Sequence, residues 1–370
     1  MLLGGRPSRT IWPDGDAVVV LDQRVLPHRI ATVRIGSAAE AAAHIADMTV
    51  RGAPLIGVTG AYGLALQARR DASEAALQQA AASLKSARPT AVNLAWAVDS
   101  LLAHLLALAP AARAAAGWAF AARLADDDVA VNARIGMHGL ALLRERVARK
   151  AETGVSGAAA PLQILTHCNA GWLATVDWGT ALAPVYQAQA AGLPLHVWVD
   201  ETRPRNQGAS LTAFELREQG VPHTVIADNA GGHLMQRGQV DAVIVGCDRV
   251  SARGDVANKI GTYLKALAAH DNGVPFWVAM PVSTLDRSLD DGLAAIPIEE
   301  RRAREVTHLT GRDAQGQPVE VQLVPDGTRA ANPAFDVTPA RLVTALITER
   351  GVVRATREGI AGLFDDKAAA

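Results

Sequence analysis

The chain has 370 residues, a formal net charge of -1, 49% apolar residues and two cysteines. That length suggests two domains with sizeable cores, while interspersed charges argue against a nucleic-acid or membrane-surface partner and two cysteines cannot build a disulfide framework. No apolar run approaches a bilayer span, and Met1-Leu-Leu-Gly-Gly-Arg6 lacks the basic leader and apolar core of a secretory signal, so a cytoplasmic protein is expected.

In chain order, Ala17-Val-Val-Val-Leu-Asp22 and Ala31-Thr-Val-Arg-Ile35 read as strands of a small sheet joined through Leu26-Pro27-His28. From Ser37 the spacing of Ala38, Ala41, Ile45 and Met48 turns helical, and it breaks at Arg51-Gly52-Ala53-Pro54, where a second helix begins. Proline at a first helical position leaves the neighbouring amides free at a positive helix end, and Arg51 adds a fork of donors suited to an anion. A phosphate cradle and a surface ion pair are both open for Arg51, and Gly57, Gly60 and Gly63 point to close helix packing rather than ligand contact. Three more helices are predicted over Glu74 to Ser86, Val92 to Leu108 and Ala111 to Arg146. Arg88 lies in the loop between the first two of these, and it faces either a cleft or water. The first 147 residues thus read as a mainly helical domain with a small sheet, and 148–160, mixed in charge and glycine, as a linker.

Beyond it, residues 161–370 alternate apolar runs with helical patterns, which predicts a Rossmann-like, doubly wound parallel sheet and places the whole in the α/β class. The runs are Leu162 to Leu165, Leu195 to Val199, His223 to Ile226, Ala242 to Val245 and Pro275 to Ala279. All but the last end abruptly in ionisable or amide groups, and strand ends of such a sheet face one crevice. Cys168, flanked by His167 and Asn169 rather than by aliphatic residues, and Asp248 are therefore expected to meet across one substrate. The alternative is that each is satisfied by local amides. Asn258 and Lys259 are expected to open the helix after the Asp248 loop and to reach the same pocket. No glycine motif for a nucleotide, no Gly-x-Ser-x-Gly elbow and no metal-ligand spacing is present, and His167 and Cys168, pointing to opposite faces, make a poor chelating pair, so neither cofactor nor metal is expected.

Six motifs in order carry a family resemblance: Arg51-Gly-Ala-Pro-Leu-Ile-Gly57, Thr166-His-Cys-Asn-Ala-Gly171, Asp200-Glu-Thr-Arg-Pro-Arg-Asn-Gln-Gly208, Gly246-Cys-Asp-Arg249, Asn258-Lys-Ile-Gly-Thr262 and Asn332-Pro-Ala-Phe-Asp-Val-Thr-Pro339. The sequence resembles the S-methyl-5-thioribose-1-phosphate isomerases of methionine salvage over nearly its whole length. The wider family includes ribose-1,5-bisphosphate isomerases and regulatory subunits of the exchange factor for eukaryotic initiation factor 2. The resemblance implies a homodimer working without metal or nucleotide, a phosphosugar held by Arg51, Gly52, Ala53, Arg88, Gln207, Asn258 and Lys259, and Cys168 with Asp248 as the catalytic pair. It implies an aldose-to-ketose conversion of a sugar whose C1 phosphoester locks the ring, by proton transfer or by a hydride shift. Cys247 is expected to point into the packing layer. Trp172, Trp178 and Met280 are candidates for the methylthio pocket, with core packing as the alternative for each. A second phosphate site, which the bisphosphate isomerase needs, is not evident.

Overall fold

A computed structural model describes residues 1–89, 91–152 and 160–365. Strands β1 (Ile11–Asp14), β2 (Ala17–Leu21) and β3 (Thr32–Ile35) form an antiparallel sheet in that order, one strand more than periodicity indicates because Trp12-Pro13-Asp14 masks the pattern of β1. Helix α1 (Ala38–Ala46) starts at a reciprocal cap: Ser37 Oγ accepts from the Glu40 amide and the Glu40 carboxylate accepts from the Gly36 amide.

Helix α2 (Ala53–Arg70) is the axle of the helical half, with every residue from Leu55 to Leu66 buried. Its glycines permit that: a Cβ on Gly60 would lie 2.5 Å from Leu94 Cδ1, and one on Gly63 2.8 Å from Ala41 Cβ. Helices α1, α3 (Glu74–Ser86) and α4 (Val92–Leu106) therefore pack directly on its backbone, and each fully buried Leu or Ile contributes roughly 1.5–3 kcal/mol of burial energy.

Helix α5 (Pro110–Glu152) is 43 residues long, about 65 Å at 1.5 Å per residue. Its first half packs Ala121 and Ala125 into the helical core, whereas Ile135 and Leu143 pack against the C-terminal sheet. The expected linker at 148–160 is thus corrected at its start: residues 148–152 continue the helix, and 153–159 lie outside the described residues. Ala-Arg-Lys-Ala-Glu is composed of good helix formers, and nothing in it breaks the pattern.

The C-terminal half is built on strands β4 (Leu162–Thr166), β5 (Leu195–Asp200), β6 (His223–Ile226), β7 (Ala242–Val245), β10 (Phe276–Ala279), β13 (Ala345–Thr348) and β14 (Gly351–Val353). Their order is β14-β13-β10-β7-β4-β5-β6, parallel except for β14. Alternate residues feed opposite faces. Ile164, Ile244 and Ile347 join the core beneath α5, α6 (Ala183–Ala190) and α7 (Ala213–Glu218), while Leu165, Val243, Val245 and Leu346 join the core under α8 (Ala230–Gln236) and α9 (Thr262–Asp271). The chain winds outward from β4 through β5 to β6 and then returns to β7 on the other side of β4. This reversal leaves a crevice beyond the carboxyl ends of β4 and β7. A smaller sheet, β11 (Leu285–Asp286), β8 (Arg249–Ser251), β9 (Val256–Lys259) and β12 (Phe335–Thr338), flanks that crevice.

A buried carboxyl in the fold gives a pH signature. Asp128 on α5 accepts the Val176 amide at 2.7 Å, and burial, aided by Asp177, pushes its pKa from 3.8 up to about 7 against the pull of that amide and Asn132. A folded-state pKa above the unfolded one means the native protein binds more protons between those values, so stability falls as pH rises toward 7 and levels beyond it. Asp128→Asn is expected to flatten that slope by on the order of 1–4 kcal/mol, read from urea midpoints at about pH 5 and pH 8.

Candidate active site

Cys168 lies two residues beyond β4 and Asp248 three beyond β7, so the neighbouring strands β4 and β7 deliver both to the switch-point crevice. They line one cavity, and Gly246 between them has no room for a side chain, since a Cβ would meet Ala170 Cβ at 2.5 Å. Opposite stands the N-terminus of α2. Arg51, Gly52 and Ala53 line the same cavity, as do Arg88 from the α3–α4 loop, Gln207 after β5, and Asn258 with Lys259.

Cys168 is held in the left-handed region at φ 66°, a conformation that costs a non-glycine residue about 1–2 kcal/mol. Its amide donates to Thr202 Oγ1 at 2.8 Å, its carbonyl accepts from Thr212 Oγ1 at 2.7 Å, and its Sγ donates to Gln207 Oε1 at 3.4 Å. Each bond fixes the thiol's direction. It is 8% exposed and lines the cavity.

Arg51 is anchored by its fork, with Nη1 donating to Asn169 Oδ1 and Nη2 to Asn169 O at 2.6 Å. Asn169 Nδ2 in turn donates to Glu215 Oε1 at 2.8 Å, and Glu215, fully buried, also accepts from the amides of Trp172 and Leu173 and from the Tyr186 hydroxyl. Burial pushes the Glu215 carboxyl up, opposed by these donors and by Arg51. Sequence reading missed Glu215; its signal is a carboxylate on the apolar stripe Leu211, Phe214, Glu215 of a helical segment. Gly52 completes the corner at φ 94°, where a Cβ would sit 2.4 Å from the Ala174 carbonyl oxygen. Only glycine lets α2 begin so close to the Cys168 loop.

The charges are arranged around Asp248. Burial raises its pKa, while Lys259, Arg88 and Arg51 pull it down and Glu299 pushes it up. Burial lowers the pKa of both Arg51 and Lys259, and in each case Cys168 and Asp248 oppose that shift. Lys259 Nζ lies 4.6 Å from the centre of the Phe335 ring, and Arg88 faces Glu299 at 3.7 Å. Three cations around one half-buried carboxyl and a thiol suit a multiply charged anion.

Several sequence expectations change. Asn258 and Lys259 end strand β9 rather than opening a helix, which starts at Thr262. The β5 and β6 ends stay out of the cavity: Asp228 caps the amides of Thr202 and Arg203, and Asp200 bonds His167. Cys247 is half-buried and lines the cavity as well as touching the core under α9. Trp172 and Met280 are fully buried in the two cores and Trp178 packs against one of them, so none lines the cavity. Among the described residues, the one His/Cys/Asp/Glu grouping close enough to share a metal is His167, Asp200 and Asp228. Lys265 already holds it, with Nζ 3.2 Å from Asp200 Oδ2 and donating to the Asp228 carbonyl, and both His167 nitrogens are engaged, by Asp200 and by the Ile260 carbonyl at 2.8 Å each. An ammonium in place of a metal makes this a structural brace behind Cys168.

The profile of the Initiation factor 2 subunit family matches residues 49–355. The methylthioribose-1-phosphate isomerase of Methylorubrum populi is 60% identical over 99% of both chains, and that of Rhodospirillum rubrum is 58% identical over all of this chain and 95% of the relative. Among solved structures, 5-methylthioribose 1-phosphate isomerase from Pyrococcus horikoshii OT3 superposes with a TM-score of 0.82 at 38% identity, covering 97% of this chain and 96% of that one. The translation initiation factor eIF-2B, subunit delta, from A. fulgidus gives 0.77 at 37%, covering 96% and 99%. The chain therefore belongs to the initiation factor 2 subunit family and, within it, to the methylthioribose-1-phosphate isomerases.

Proposed function

We propose that this chain isomerises 5-methylthioribose 1-phosphate to 5-methylthioribulose 1-phosphate, a step of methionine salvage. The observation that carries the reading is the single cavity in which a thiol and a raised-pKa carboxyl from adjacent strand ends face the arginine-bearing start of α2. In this reading the phosphate sits on the amides of Gly52 and Ala53, where the helix end favours an anion, and Arg51, Arg88 and Lys259 neutralise it. Gln207 and Asn258 bind the rest of the phosphosugar. Because those cations also hold the Asp248 carboxyl down, a bound dianion cancels their pull and favours its protonated form.

Protonated Asp248 donates to the ring oxygen as the C1–O bond breaks, and Cys168, having first given its own proton to solvent, takes the C2 proton as a thiolate, leaving a C1=C2 enol phosphate. Cys168 then returns a proton to C1, while the C2 hydroxyl becomes the ketone and gives its proton to Asp248. Both groups end as they began, and no outside oxidant or reductant is needed. A turnover assay with the purified protein, followed by NMR, tests this. Conversion of the sugar, with at least partial loss of deuterium from C2 in ordinary water, is expected; no conversion refutes the isomerase, and complete retention in every turnover favours a hydride shift.

A helical first part running through the end of α5 and a sheet-based second part from 161, a division drawn from the change of periodicity, are proposed together with a homodimeric assembly on the family resemblance and a cytoplasmic setting on the two cysteines. Among the described residues no helix is long and apolar enough to cross a membrane.

A further inference from the structure

The far ends of the parallel strands hold another cavity. Cys168 and Asp248 follow the carboxyl ends of β4 and β7, whereas Pro275 and Trp277 around the start of β10, with Thr344 and Ala345 at the start of β13, wall a space of about 480 Å³ at the amino ends. It shares no lining residue with the catalytic cavity, and its volume is that of a small-molecule site. Its charges do not balance. Arg146 and Arg149 from α5 and Arg341 before β13 line it beside the His270 imidazole, and the one carboxylate among its described lining residues, Glu145, is already paired with Arg149. Among the described residues, the side chains of Arg146 and Arg341 have no hydrogen-bond or ion-pair partner, and Arg146 Nε is also shielded from water. A buried donor without an acceptor is costly to a fold, and an anion that supplies the acceptor relieves that cost. The rest of the wall is apolar, with Leu142 and Val274 beside Trp277 and Val343, which are 4% and 7% exposed.

We propose that this cavity is a second ligand site, built for a phosphate monoester with an apolar body: Arg146 and Arg341 grip the phosphate while the body lies against Leu142, Trp277 and Val343. Two unpaired guanidinium groups match a dianion, and their planar forks suit phosphate oxygens. Inorganic phosphate is a poorer occupant, because a bare ion leaves the apolar wall facing water. None of these residues lines the cavity of Cys168 and Asp248, so occupancy here does not depend on the isomerase reaction.

The probe is 4-bromophenyl phosphate, titrated calorimetrically into the full chain in excess inorganic phosphate, which occupies the start of α2. Binding is expected to persist under that excess. It should weaken about tenfold or more in Arg146→Ala and again in Arg341→Ala, each of which removes a charged hydrogen bond. Anomalous diffraction from soaked wild-type crystals should place bromine between α5 and the start of β10. Melting temperatures and turnover near those of wild type show that each variant is folded with its catalytic cavity intact. Binding abolished by excess inorganic phosphate overturns the ligand class, since the apolar body then contributes nothing. A dissociation constant unchanged in both folded variants, or bromine found in the catalytic cavity alone or nowhere, overturns the site.

Discussion

Replacing Cys168 by alanine is expected to lower kcat by roughly 10²–10⁴-fold with little change in KM, because a general base acts on the reacting proton rather than on the binding of the sugar. Asp248→Asn should do the same, since an amide cannot give the ring oxygen its proton. The neighbouring thiol provides the comparison. Cys247 lines the same cavity, but burial, with Asp248 adding to it, pushes its pKa well above the ordinary thiol value, so it is no base at neutral pH. Cys247→Ala should therefore keep near-normal turnover per folded molecule. Steady-state kinetics on the three variants decide the matter: a Cys168→Ala enzyme that changes only in KM removes the thiol from the chemistry.

Arg51→Lys is expected to reduce kcat/KM by ~10²–10³-fold, despite conserving the charge, mainly by raising KM. A lysine ammonium cannot span Asn169 Oδ1 and Asn169 O while also meeting a phosphate. Losing a charged bond is worth about 1.5–3 kcal/mol, and leaving the buried Asn169 acceptors unpaired costs about 1–3 kcal/mol more. Inhibition by inorganic phosphate separates anion binding from mere destabilisation. It should weaken in step with KM in Arg51→Lys; unchanged phosphate inhibition in a folded variant contradicts the phosphate role.

Five of the seven strands of the large sheet were legible in the sequence because each is a short apolar run, four of them closed by a polar cluster, and the two residues at the heart of the site stood out as a thiol and a carboxyl where apolar runs stop; β13 and β14 were not read. What could not be read has a common physical cause. Glu215 and Lys265 are buried ions satisfied by partners distant in sequence, and a charge on a helix is ordinarily a solvated residue. Strand β9 is four residues long and lies in a secondary sheet, so Asn258 and Lys259 looked like the polar lead-in to the helix that starts three residues later. Helix α5 overran its expected end because local propensity continued where charge and glycine content suggested a linker. The polar ends of β5 and β6 proved structural: Asp200 and Asp228 brace His167 and the Thr202 turn, and through the Thr202 hydroxyl they hold Cys168 in its left-handed conformation.

The most direct measurement is a crystal structure of the Asp248→Asn variant with 5-methylthioribose 1-phosphate bound. The predicted result has the phosphate on the amides of Gly52 and Ala53, C2 facing Cys168 Sγ, and the ring oxygen within hydrogen-bonding reach of residue 248. A sugar seated with its ring away from the cleft between those two strand ends, or with Sγ facing any carbon but C2 or C1, contradicts the account.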